Sequence, residues 1–436
     1  MTAPTRSEVM NKRVLAASLI GSAIEWFDYF LYATMAALVF NKLFFPEFDP
    51  IVGQMLAYLT FSLTFFVRPL GGFIFSHIGD KIGRKKTLVL TLSLMGISTF
   101  GIGILPTYDQ IGVWAAVLLI VLRLIQGLGI SGEWGGALLL AFEYAPSNRK
   151  GLFGSVPQLG VPLGLVLATG ALSLVSLLPQ EQFMSWGWRL PFIGSILLVF
   201  VGLWIRKGVD ETPAFRETQK AGKIASVPIV DTFRDHWREV LIATGAKVVE
   251  TAPFYLFTTF IISYATNQLN IEKFYAINSV TVASIVTILF IPLMGLMSDI
   301  FGRKKVFLFG CVLMAAFAFP YFMILDTRTI TGVFAATIIG AGIVWAPLTA
   351  TLGTLMSEIF SARVRYTGIT LGYQIGAAFA GGTAPFIATM LLYKFNGAWF
   401  AVAFYIIFCA IISFVSVMFA RPIKDPHHTE IKEIIK

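Results

Sequence analysis

The chain has 436 residues, of which 56% are hydrophobic and 13% charged, with forty phenylalanines. Average soluble domains carry charge on about a quarter of their residues, so this composition excludes an ordinary water-soluble enzyme or binding module. The formal charge of +9 invites a polyanion-binding reading, which its distribution along the chain removes.

A helix needs ~20 predominantly apolar residues to cross ~30 Å of hydrocarbon. In chain order such stretches fall near 14–40, 52–76, 87–105, 112–141, 151–178, 189–206, 239–266, 275–297, 306–325, 331–357, 367–393 and 397–420. They predict an all-α polytopic membrane protein with twelve transmembrane helices. The run that opens the first span is longer than a signal-peptide core and carries acids instead of a small-residue cleavage site, so it is read as a retained span. Residues 207–238 form the long polar stretch, punctuated by Pro213 and Pro228. They divide the chain into an N-terminal six-helix bundle (1–206), a cytoplasmic linker (207–238) and a C-terminal bundle with a short tail (239–436).

Of the 33 lysines and arginines, 25 fall on the side of the N-terminus and five on the other, while Arg68, Arg123 and Lys247 lie within spans. That asymmetry is the positive-inside pattern. It places both termini in the cytoplasm and the protein in the cytoplasmic membrane, and it assigns the basic excess to topology instead of nucleic acid. Cys311 and Cys409 sit in apolar runs without ligand-like spacing, so neither a disulfide framework nor a metal site is expected. A P-loop tract is absent, which argues against ATP-driven transport. No cofactor is expected, and the chain is expected to act as a monomer in the lipid bilayer.

The sequence repeats itself. Ser76-His77-Ile78-Gly79-Asp80-Lys81-Ile82-Gly83-Arg84-Lys85-Lys86 returns as Gly295-Leu296-Met297-Ser298-Asp299-Ile300-Phe301-Gly302-Arg303-Lys304-Lys305. Glu143, followed by Arg149 and Gly151, parallels Glu358, followed by Arg363, Arg365 and Gly368, and Gln158-Leu159-Gly160 parallels Gln374-Ile375-Gly376. The offsets of 215 to 219 residues span an even number of crossings. The halves therefore share orientation, as parallel repeats about an axis along the membrane normal, an organisation of secondary transporters.

These residues resemble the major facilitator superfamily over nearly the whole chain. Asp80, Gly83, Arg84 and Lys85 fit its loop between spans two and three, and Arg123-Leu124-Ile125-Gln126-Gly127-Leu128-Gly129 fits its fourth-span pattern. Glu25-Trp26-Phe27-Asp28-Tyr29, Val67-Arg68-Pro69-Leu70-Gly71-Gly72, Ser131-Gly132-Glu133-Trp134-Gly135-Gly136 and Trp186-Gly187-Trp188-Arg189-Leu190-Pro191-Phe192 are similar to the metabolite:proton symporter family. That family includes shikimate, dicarboxylate, citrate and proline/betaine permeases. Ser76 departs from the usual glycine, which Gly295 keeps. The resemblance implies the major facilitator fold and proton-coupled uptake of a small metabolite.

Gly83 and Gly302 permit a tight turn between spans. Asp80 and Asp299 stand at span ends, where they can accept from helix N-termini or from Arg84 and Arg303. Glu143 and Glu358 end spans four and ten on the same side, with Arg149, Arg363 and Arg365 following. Two cytoplasmic charge clusters are expected to hold that side closed and to separate on inward opening.

A charge at mid-membrane costs at least ~2.5–3.5 kcal/mol, so intramembrane ionisable groups are functional candidates. At ~1.5 Å of rise per residue, Asp28 and Arg123 come to mid-depth and can pair. Glu25, Arg68, Glu133, Lys247 and Glu250 form a layer nearer the cytoplasm. Three cations face four acids, which leaves one carboxylate over to bind a proton. Asp28 with Arg123 is the expected coupling pair, and Glu25 and Glu133 are alternates. Lys247 and Glu250 are also spaced to neutralise each other, beside a kink expected at Pro253. Tyr29, Tyr32, Gln126, Trp134, Gln158, Tyr255, Trp345, Tyr373 and Gln374 offer hydrogen bonds and aromatic walls to a substrate, with Arg123, Arg68, Lys247 and Glu250 supplying charge. The leading expectation is a proton-coupled symporter of a small carboxylate working by alternating access, and not an enzyme. A carrier of zwitterions such as proline or betaine, or an exchanger, stands second, and a non-transporting sensor third.

Overall fold

The computed structural model describes residues 6–82, 84–130, 145, 148–207, 232, 234–360 and 364–421, with backbone alone at 6–18, 73, 76–82, 84–86, 88, 205–207 and 366. The described residues form helices and turns without a strand. The first half contributes α1 (Arg6–Leu38), α2 (Pro50–Ile82), α3 (Arg84–Ile104), α4 (Val113–Gly129), α5 (Lys150–Ser176) and α6 (Arg189–Lys207). The second contributes α7 (Trp237–Asn267), α8 (Lys273–Phe301), α9 (Arg303–Leu325), α10 (Ile330–Ile359), α11 (365–394) and α12 (Phe400–Met418). The sixth crossing is a broken one, because the short helix Gln180–Gly187 meets α6 at a 45° bend.

Lipid tails are as apolar as leucine, so membrane helices associate through close packing and polar contacts. Small residues show where. A Cβ at Gly160 on α5 would lie 2.4 Å from Ser22 Oγ on α1, and one at Gly376 on α11 would lie 2.6 Å from Lys247 Cβ on α7. These glycines are equivalent positions of the repeat, so each half presses its fifth helix onto its first at the same place.

The halves meet along α5 with α8 and along α2 with α7 and α11. Asn278 Nδ2 donates to Ser173 Oγ at 2.6 Å, Thr281 Oγ1 donates to Thr169 Oγ1 at 2.8 Å, and Gly295 then packs on Ser155 and Gly151. Along α2, Tyr58 Oη and Ser263 Oγ share a hydrogen bond of 2.7 Å, and Ser62 Oγ donates to Gly382 O. Wide turns interrupt α10 at Ile338–Val344 and α11 at Ala377–Gly381. Pro347 and Pro385 follow them and deprive the carbonyls of Ile343 and Gly381 of their helical partners. At Pro253 the helix runs on to Tyr255, and the wide turn comes later, at Leu256–Phe260.

Candidate functional site

Two guanidinium groups are buried side by side in the first half. Arg68 on α2 and Arg123 on α4 are 2% and 0% exposed, and Cζ of each lies 4.8 Å from the Tyr29 ring centroid. Arg68 also covers Phe65 at 4.7 Å, and Arg123 covers Tyr32 at 3.9 Å. Such stacking is worth ~2 kcal/mol or more when desolvated, and it fixes each cation against an aromatic face. Nε and Nη2 of both arginines lack a hydrogen-bond partner among the described residues. The second half closes over this cluster. Tyr255 on α7 packs on Phe61, Phe65 and Tyr29 at 5.4, 5.6 and 6.2 Å, and Phe254 packs on Phe30 at 5.7 Å and on Trp345 at 4.3 Å.

Asp28 is fully buried on α1, yet neither of its carboxylate oxygens has a hydrogen-bond partner among the described residues. The expected Asp28–Arg123 ion pair is not formed in this conformation. Arg123 is drawn onto the Tyr29 and Tyr32 rings, and its Nη1 is taken by Gln126 Oε1. Asp28 instead faces Thr99 on α3. That hydroxyl donates to Met95 O at 2.9 Å and accepts from Gln126 Nε2 at 2.9 Å, so its one proton is not given to Asp28. Gln126 Oε1 in turn accepts from Arg123 Nη1. An amide and a hydroxyl thus connect the guanidinium to the neighbourhood of the carboxyl. Thr99, which no sequence signal marked, completes this bridge. Glu25, one turn away on α1, is also buried.

The second half holds a closed charge pair. Lys247 Nζ bonds Glu250 Oε2 and lies 3.7 Å from the Tyr373 ring centroid. Thr251 and Thr349 donate to the two Glu250 oxygens at 2.8 and 3.2 Å, while Trp345 Nε1 donates to the Glu250 backbone carbonyl. Lys247 and Glu250 thus complement each other, whereas among the described residues Arg68, Arg123 and Asp28 keep polar atoms without a partner. Gln158 is buried in the 3₁₀ turn of α5 and Gln374 is half-buried on α11, each two residues before its packing glycine.

At the end of the molecule that carries the repeated tracts, Asp299 reaches across to the first half. Its carboxylate accepts from Gly151 N at 2.7 Å and Leu152 N at 2.9 Å, first-turn donors of α5 that have no acceptor within their own helix. Arg303 holds it from behind at 3.2 Å and also bonds Glu358. Gly302 makes the turn with φ +93°, a conformation that side chains resist. Arg149 is exposed, and Arg365 Nε donates to Phe360 O at 3.3 Å. Gly83, Glu133, Trp134, Glu143 and Arg363 lie outside the described residues, as do the side chains of Asp80 and Arg84.

A profile described as "Sugar (and other) transporter" matches residues 14–227, and one described as "Major Facilitator Superfamily" matches residues 246–436. The shikimate transporter of Escherichia coli (strain K12) is 38% identical over 413 residues, 94% of this chain and 94% of that one. The proline/betaine transporter of Salmonella typhimurium (strain LT2) is 34% identical over 420 residues, 93% of this chain and 82% of that one. Among solved structures, the D-xylose-proton symporter superposes with a TM-score of 0.72 at 16% identity, covering 94% of this chain and 96% of that one, which is a likeness of fold. Two parallel six-helix halves, a buried charged cluster between them and relatives of this extent lead to one conclusion: the chain belongs to the major facilitator superfamily of transporters, among its metabolite permeases.

Proposed function

We propose that this transporter carries a small organic acid into the cell together with protons. The observation that supports the reading is a pair of incomplete charges in one buried cluster: among the described residues, the Asp28 carboxylate has no hydrogen-bond donor, and Nε and Nη2 of Arg123 have no acceptor. A guanidinium offers a planar fork matched to a carboxylate. Arg123 binds the substrate carboxylate there, with Arg68 adding positive charge across the Tyr29 ring. Asp28 carries the proton, since a neutral acid needs no counter-ion at that depth. Each ligand removes one charge from the membrane interior, so loading both makes reorientation cheaper than loading either. The repeated tracts lie on the cytoplasmic side by the positive-inside pattern. Asp299, Arg303 and Glu358 then form the gate that holds that side shut, and its release opens the site inward.

The shikimate transporter among the relatives supports a carboxylate substrate. The proline/betaine transporter keeps a zwitterion as the second reading. Against it, the aromatic faces around Tyr29 are already covered by Arg68 and Arg123, which leaves them unavailable to a quaternary ammonium group. The test is a thermal-shift panel on the purified protein with carboxylates, zwitterions and sugars at two pH values. A ligand that binds the native state raises its apparent stability. Carboxylates are expected to raise the melting temperature, more at the lower pH. A shift confined to betaine or proline would overturn the assignment.

A further inference from the structure

On the face opposite the repeated tracts, a cavity of about 410 Å³ opens between the halves. The ends of α1 and α5 and the Gln180–Gly187 helix form one side, and the end of α7 with the start of α8 form the other. A lysine comes from each half, Lys42 and Lys273, close enough for the charge of one to act on the other. Among the described residues neither forms an ion pair, although Glu272 lines the same cavity. Lys273 instead spends its contacts on neutral groups. Its Nζ donates to Gln180 Oε1 at 2.9 Å and lies 3.8 Å from the Phe183 ring centroid. The amide side chains of Asn41 and Asn267 complete a polar lining, and the first turn of α8 adds the partial positive charge of a long helix. The volume is within the range of small-molecule sites, ~300–1,000 Å³.

Two like charges held across a small cavity repel, and a bridging anion satisfies both. We propose that this cavity is an outer recruitment site for a small carboxylate, held between Lys42 and Lys273 before it passes the Tyr58–Ser263 closure toward Arg123. The inference rests on the carboxylate reading above, and it adds a second anion site in series with the first. Leu38 on its wall stands six residues beyond Tyr32, or ~9 Å along α1, so an anion released inward meets the stacked arginine next.

The test uses the whole protein in phosphatidylcholine nanodiscs, acylated with a water-soluble N-hydroxysuccinimide ester. Rates at Lys42, Lys273 and Lys394 are read by peptide mass spectrometry in sodium succinate, in sodium shikimate, and in sodium chloride of equal ionic strength. Lys394 is exposed and lies outside the cavity, so it serves as the internal control. A several-fold slowing at Lys42 and Lys273 by at least one of the two carboxylates is expected, with Lys394 unchanged, and Lys42→Gln should remove the protection of Lys273. Equal rates in all three salts overturn the proposal. Protection that appears only when phosphatidylglycerol is added, and is indifferent to both carboxylates, assigns the cavity to a lipid headgroup and also overturns it. The readout does not depend on transport. Protection without carboxylate uptake in cells keeps this site and removes the substrate reading, whereas uptake without protection does the reverse.

Discussion

Gly151→Ala is expected to force open the tract-bearing face. A Cβ at this position would lie 2.2 Å from Ser298 Oγ, 2.6 Å from Gly295 O and 2.8 Å from Asp299 Oδ1, all on α8. The serine can rotate, but Gly295 O is backbone, and ordinary contact begins at 3.4 Å, so α5 and α8 must part by about 0.8 Å there. The hydrogen bonds that Asp299 accepts at 2.7 and 2.9 Å then stretch to ~3.5 Å or more, where little of them is left. Hydrogen bonds to charged groups are worth ~1.5–3 kcal/mol each. Losing both shifts the balance toward opening by ~3–6 kcal/mol, and at ~1.4 kcal/mol per tenfold this is two to four orders of magnitude. The assay is maleimide labelling of Thr354→Cys, which is buried on α10 where Gly154 of α5 covers it. Cys311 and Cys409 are both buried and are replaced by alanine in the background. Labelling from the tract-bearing side should rise at least tenfold in Gly151→Ala. An unchanged rate in a protein with an unchanged melting temperature would refute the reasoning.

Lys247→Met should lower the melting temperature strongly, since a buried ion pair stripped of one partner costs ~3–5 kcal/mol. Adding Glu250→Gln should restore most of the loss, and additive losses would contradict the pairing. Arg123→Lys removes the planar fork and the bond to Gln126, so kcat/KM for carboxylate uptake should fall ~10–100-fold, the worth of one charged hydrogen bond. Tyr58→Phe and Ser263→Ala should each loosen the opposite face by ~1 kcal/mol, read as faster labelling of a cysteine placed there. Together they should do little more than either alone, because they delete the same hydrogen bond.

The repeat, the spans, the contact of Asp299 with a helix N-terminus and the Lys247–Glu250 pair were legible because each rests on residue type and position along the chain. Asp299 is a lone acid at a span end facing the N-terminus of another helix, and Lys247 and Glu250 are three apart. What spacing along the chain cannot give is rotation between helices. Asp28 and Arg123 were expected to pair from a common depth, whereas in the fold Arg123 stacks on Tyr29 and Tyr32 and is linked through Gln126 to Thr99, which Asp28 faces. The neutral contacts that hold the halves together carried no signal at all. Ser173, Ser263 and Asn278 are small polar residues inside apolar runs, and such residues also serve as ordinary helix packing. Lys42 and Lys273 fall between expected spans more than 200 residues apart in the sequence, and it is the fold that brings them to one cavity.

The central claim is that Arg123 and Asp28 bind a carboxylate and a proton for movement in the same direction. The most direct measurement is the pH outside lightly buffered cells or right-side-out vesicles when a transported carboxylate is added. The account predicts alkalinisation in step with uptake. It further predicts that Asp28→Asn abolishes this signal and pH-driven accumulation, while exchange of labelled substrate at equal pH continues. Accumulation accompanied by acidification, or accumulation driven by a pH gradient in Asp28→Asn, would contradict it.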